Sequence, residues 1–167
     1  MIESATLDTI LLFTVCIIAM TVSIIRLKRA NADYQAPISS KSIVSFLRRN
    51  GTSPTVKGPW IIFNHQDQEY TIHTSKLPVL VVLKQTSLAG FQERTNVLKD
   101  VAQAVSLDTA MASIYIDGNP ANRAIIQVNA IETCLGSFAQ RLSIYLDIID
   151  ETEKRFFDEI KRRNISH

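Results

Sequence analysis

Cysteine is scarce in this 167-residue chain, with only Cys16 and Cys134, so a disulfide framework is excluded and no CxxC spacing offers metal ligands. Glycine and proline number five each, and neither a phosphate-cradling GxxxxGK[ST] loop nor a GxGxxG dinucleotide fingerprint occurs. Charge of one sign is also missing. Lys and Arg total 18 against 16 Asp and Glu, a balance that argues against nucleic acid as a partner. The length suits one domain with a proper core plus an appendage, not two ordinary domains.

What is present is distributed unevenly. From Thr9 to Ile25 the segment TILLFTVCIIAMTVSII carries no charge, Pro or Gly. As a helix it spans roughly 26 Å, a little under the roughly 30 Å hydrocarbon core of a bilayer. Leu7, Leu11, Leu12, Phe13, Val15, Ile17, Ile18, Val22, Ile24 and Ile25 supply its apolar surface on every side, which speaks against an interfacial helix. The acidic start MIESATLD lacks the basic n-region of a signal peptide. The sequence therefore predicts an N-terminal transmembrane anchor over residues 1–29. Arg26, Lys28 and Arg29 follow it, while the upstream flank holds no Lys or Arg, so the expected topology is single-pass, with the N-terminus outside and the remainder cytoplasmic. The lipid bilayer is the first expected partner. The sequons Asn50-Gly51-Thr52 and Asn164-Ile165-Ser166 would then stay unmodified.

Residues 30–38 lack periodicity and read as a short tether to a domain over 39–163, with 164–167 as a tail. Ser39 is placed to cap a helix whose apolar face is Ile43, Val44, Phe46 and Leu47, with Arg48 and Arg49 at its C-terminal end and Gly51 as its stop. After the breaker run GTSPTVKGP, strands are expected at Trp60–Asn64, Tyr70–Thr74 and Val79–Lys84. The continuous apolar run VLVVL marks the third as central to a sheet. A helix over about 93–104, strands over about 111–116 and 123–131 around the turn DGNPAN, and a last helix complete the pattern. Ser137 and Gln140 suggest a capping box for that helix, and Phe138, Leu142, Tyr145, Ile149, Phe156 and Ile160 form its apolar stripe. The expected fold is α+β: an α-βββ-α-ββ-α domain with helices packed on an antiparallel sheet.

That element order, together with the VLVVL strand and the DGNPANRAIIQV hairpin, resembles the type III secretion chaperone-like fold, including its YbjN-like branch. The resemblance implies a domain that binds other proteins and commonly dimerises, without a catalytic centre.

The chemistry-bearing residues are sparse. His65, Asp67 and Glu69 have ligand-type side chains at alternate positions, but a solvated hairpin turn accounts for them better than a metal site. His73 reads as a strand residue with no general-base partner. Cys134 precedes Gly136 and a helix N-terminus, which would lower a thiol pKa, yet a lone cysteine is more often a packing residue. No catalytic, cofactor or metal site is expected, and an enzyme is not. Acid-before-base pairs four apart, Asp150 with Lys154, Glu151 with Arg155, Asp158 with Arg162 and Glu159 with Arg163, predict a solvated face on the last helix. Phe156 and Phe157 are adjacent and cannot both face one narrow stripe, so one of them is a candidate partner contact. The leading expectation is a membrane-tethered, non-catalytic interaction module that binds a protein partner or itself. A small-ligand sensor with a pocket between sheet and helices is the alternative.

Overall fold

The structure is a computed structural model that describes residues 18–25, 28, 31–32, 34–118, 123–163 and 165, the side chains at 92 and 93 excepted. The chain divides into two compact units, Met1–Ala36 and Pro37–His167.

In the first unit residues 18–25 are helical and exposed. Ser23 Oγ donates back to the Ala19 carbonyl at 2.8 Å. Leu7, Leu11, Leu12, Phe13, Val15 and Ile17 lie outside the described residues, as do Arg26 and Arg29. Among the described residues no helix is long and apolar enough to cross a membrane. The expected transmembrane helix, and the single-pass membrane localisation inferred from it, are corrected on that finding. The described stretch 18–25, which holds Ile18, Val22, Ile24 and Ile25, reaches only about 12 Å, well short of a bilayer core of roughly 30 Å.

The second unit begins with helix α1, Ser40–Arg49. Ser39 Oγ accepts from the Ser42 N–H at 3.1 Å, and Ser42 Oγ accepts from the Ser39 N–H at 2.9 Å. Such reciprocal capping typically contributes about 0.5–2 kcal/mol. At the other end Gly51 takes a φ of 80°, a left-handed conformation that lets the Gly51 and Thr52 N–H groups reach the Arg48 and Leu47 carbonyls. Ile43 and Leu47 are buried, with Val44 and Phe46 partly so.

Six strands follow in one antiparallel sheet, ordered β1-β2-β3-β4-β6-β5: β1 Thr55–Lys57, β2 Trp60–His65, β3 Gln68–Lys76, β4 Val79–Ser87, β5 Ala112–Asp117 and β6 Arg123–Ile131. Strand β1 corrects the expectation of three strands before the middle helix. It lies inside the run read as a breaker and pairs with β2 across a tight turn in which Gly58 has a φ of 59°. The VLVVL segment lies in β4, paired with β3 on one side and with β6 from Val79 to Ser87 on the other.

A 3-10 turn, Ala89–Arg94, leads into α2, Thr95–Asp108, which buries Leu98, Val101, Ala102 and Val105. The last helix, α3, spans Leu135–Arg162 with Cys134 as its N-cap. It therefore starts earlier than the Ser137 capping box predicted. Ser137 lies within the first turn, where its hydroxyl donates to the Cys134 carbonyl at 3.0 Å, and buried Leu135 anchors that turn. Phe138, Leu142, Tyr145, Ile149, Phe156 and Ile160 are all buried along one stripe.

The core has one location. Helix residues cluster with Ile61, Phe63, Tyr70, Ile72, Leu80, Val82, Ile126 and Val128, which share one face of the sheet by strand alternation. Each such large apolar side chain contributes about 1.5–3 kcal/mol on burial. The helices thus form one layer against one side of the sheet.

Candidate partner-binding surface

Strand alternation that points Ile61, Ile72, Val82 and Val128 toward the helices must point their neighbours the other way. Along one row of this second face run Trp60, His73, Val81 and Asn129, and along the next Ile62, Thr71, Leu83 and Gln127. Val79 pairs with Ile131 at one end, and Ile125 with Tyr115 toward the other. Trp60, Val79, Tyr115 and Ile131 are 39%, 38%, 53% and 69% exposed. Leu83, at 6%, is buried by its neighbours and lies outside the helix-side core cluster. His73 stacks on Trp60, with ring centroids 4.0 Å apart at 30°. Stacking gives the indole a fixed orientation while leaving its outer surface open. Isolated exposed apolar residues are ordinary, whereas several on one continuous sheet face constitute a patch of the kind that partners cover.

The covered face contains a polar cluster that sequence reasoning missed. Lys84 continues the inward parity of Leu80 and Val82, so its ammonium lies under α3, where Nζ contacts Asp150 Oδ1 at 3.1 Å, Glu153 Oε2 at 2.5 Å and the Gln68 amide oxygen. Thr86 Oγ1 donates to Glu153, and Tyr70 O–H donates to the Asp150 carboxylate at 2.7 Å. Burial, then the Asp150 hydrogen bond and the negative charges of Asp150, Glu153 and Asp147, holds the Tyr70 phenol well above its ordinary range. An ammonium has three donors, and three acceptors surround this one. With the phenol O–H also engaged, the cluster braces α3 against β3 and β4. The available signal was a lysine at an inward position directly after the apolar run VLVVL.

Each residue considered for chemistry has a definite place. His65 ends β2, and Gln66 and Asp67, with φ of 49° and 62°, form the turn into β3. Because the turn resets the alternation, His65 faces the Tyr70 ring on the helix side while Glu69 falls on the opposite face. The structure does not bring the two together. Among the described residues no three His, Cys, Asp or Glu side chains gather as a metal-holding group.

Cys134 Sγ lies 3.6 Å from Ser137 Oγ at the head of α3. The Ser137 N–H, then the Ser137 hydroxyl and the Gly136 N–H, lower the thiol pKa, while burial and the charge of Glu132 oppose them. Phe156 is fully buried, and Phe157 is partly buried against the core, its ring edge-on to Phe156 with centroids 5.5 Å apart. Of the helical ion pairs, Glu151–Arg155 and Glu159–Arg163 form, Asp158 pairs with Lys161, Arg162 turns to Glu159, and Asp150 faces Lys84.

No protein-family model matches the chain, and no curated protein sequence does. Among solved structures, YbjN from E. coli, a candidate transcription regulator, is similar, with a TM-score of 0.57 at 8% identity, covering 77% of this chain and 97% of that one. An uncharacterized protein from Methanothermobacter thermautotrophicus is similar as well, with a TM-score of 0.53 at 12% identity over 75% of this chain and 99% of that one. The fold is related to that of YbjN.

Proposed function

We propose that the chain is a non-catalytic protein-interaction module, chaperone-like or scaffolding in kind, that engages a protein partner or a second copy through the face of its sheet opposite α1, α2 and α3. The observation that supports this reading is the sheet face itself, where Trp60, Val79, Tyr115 and Ile131 are exposed while the helices of the described unit pack on the other side. The YbjN-like fold and the resemblance to type III secretion chaperones are in keeping with it. The ligand-sensor alternative calls for an enclosed apolar cavity between sheet and helices. Large apolar side chains fill that space, and the grooves of about 560 and 420 Å³ are open at the surface.

The test uses the single tryptophan of the chain, which lies on the face in question. In sedimentation runs on the full chain, a photo-crosslinking residue replacing Val81 is expected to give discrete chain-to-chain or partner adducts. The same residue replacing exposed Lys154, on the helix layer, is expected to give several-fold fewer. Trp60 emission should shift to the blue as the adduct forms. Equal yields from both positions, with unchanged emission, would contradict the reading.

A further inference from the structure

A second surface differs in chemistry from the open sheet face. Between α1 and the edge strand β1 lies an open groove of about 560 Å³ whose floor is Val44 and Val56 and whose rim is Lys41, Ser45, Arg48 and Arg49. Val56 pairs with Ile61 and so points to the helix side, but at the sheet edge, where nothing shields it, it remains 49% exposed. Among the described residues neither Lys41 nor Arg48 has an ion-pair partner, and Arg49 directs its Nε to the Ser45 carbonyl at 3.4 Å. The groove is therefore cationic along its helical wall and apolar beneath.

Its third wall is main chain. β1 is the outermost strand, so among the described residues the N–H and C=O groups on its outer side belong to no ladder. From Lys41 to Arg48 the helix advances about 10 Å, and carboxylates four residues apart on an extended chain stand about 14 Å apart, a difference within the reach of the flexible Lys and Arg side chains. β1 itself is three residues long. Phosphate-rich ligands would meet the cations but leave the main-chain groups unpaired, whereas an extended polypeptide satisfies both.

We propose that this groove receives an extended acidic segment of a partner protein, added as a strand to β1, with one apolar side chain between Val44 and Val56 and carboxylates two residues to either side facing Lys41 and Arg48. The alternation follows from strand geometry, since only every second side chain of the added strand faces the groove. The proposal rests on reading the chain as an interaction module but uses a different surface, so its failure would leave the open-face experiment standing.

The probe is a capped, fluorescein-labelled heptapeptide, Thr-Glu-Thr-Val-Thr-Glu-Thr, titrated into the full chain and followed by anisotropy. Binding is expected to weaken with added salt and to fall at least tenfold in the Lys41→Glu/Arg48→Glu variant. A peptide with Lys in place of both Glu should recover it on that variant. These positions are exposed, so an unchanged melting curve serves as the folding control. N-methylation of alternate peptide bonds keeps the charge but removes strand pairing, and a tenfold loss is expected there too. Failure of the acidic peptide to bind, charge-independent binding, or full binding by the N-methylated peptide would overturn the proposal. So would tighter, Lys41- and Arg48-dependent binding of an oligonucleotide or of phosphatidylserine vesicles.

Discussion

The two faces of the sheet come from the same strands and differ by one residue of register, yet they have different environments. On the helix side the rows are closed by Leu98, Phe138, Tyr145 and Ile149, and the inward lysine is matched by acceptors from α3 and β3. On the other side Val81 and Leu83 alternate with Thr71, Gln127 and Asn129, and the larger apolar groups project outward. A face built only for solvent would alternate to polar residues throughout. Burial and stability belong to the first face and, on the function proposed, recognition to the second, so substitutions should separate the two.

The largest effect is expected from the closed face. Phe138→Ala should cost about 3–5 kcal/mol in denaturant unfolding, because its cavity can collapse only partly. Ile62→Ala, on the open face and only half-buried, should cost distinctly less, and equal losses would erase the distinction between the faces. Phe156→Ala should resemble Phe138→Ala, with Phe157→Ala milder.

Next comes the brace. Lys84→Met leaves Asp150 and Glu153 facing each other without their cation, which is expected to destabilise by about 3 kcal/mol, toward the lower end for a buried pair because Asp150 remains partly exposed. Adding Asp150→Asn and Glu153→Gln should restore most of that loss in a thermal melt. If it does not, packing of the lysine stem matters more than its charge.

Smaller still in stability, but decisive for recognition, Tyr115→Ser with Ile131→Ser should stay within about 0.5 kcal/mol of the parent while abolishing open-face association. In a Cys16→Ser background, the rate of Cys134 alkylation should rise with pH at a midpoint below that of an ordinary thiol, since the donors at the head of α3 favour the thiolate. The smallest effect is electrostatic. Arg162 and Arg163 lower the Glu159 pKa to about 2, so their contribution is fully present above the unfolded carboxylate pKa and is lost as pH falls toward 2. Glu159→Gln should flatten that acid limb slightly.

Much of the helix-side architecture was legible because local and tertiary signals agree. Ser39, the Ile43/Leu47 stripe and Gly51 define α1 without reference to anything distant, and the VLVVL run implies its central place. β1 was illegible for the opposite reason. Its three residues between Pro54 and Gly58 show no periodicity, and the strand exists only by pairing with β2. Asp150 shows the same limit on the covered face. Spacing along the helix offered Lys154 as its partner, whereas the fold brings Lys84 from a strand 66 positions away. The open face was hidden in plain alternation, since nothing local reveals which side of a strand the helices will cover. The N-terminal expectation failed on length within the described residues, where the helical stretch is too short to span.

The most direct test of the central claim is hydroxyl-radical footprinting of the full chain inside cells against the dilute purified protein. Trp60, Tyr115 and Ile131 are predicted to be protected in cells, while exposed Leu107 and Ile144 on the helix layer label equally in both settings. Equal labelling of Trp60, Tyr115 and Ile131 in cells and in dilute solution would contradict a role for the open face in recognition.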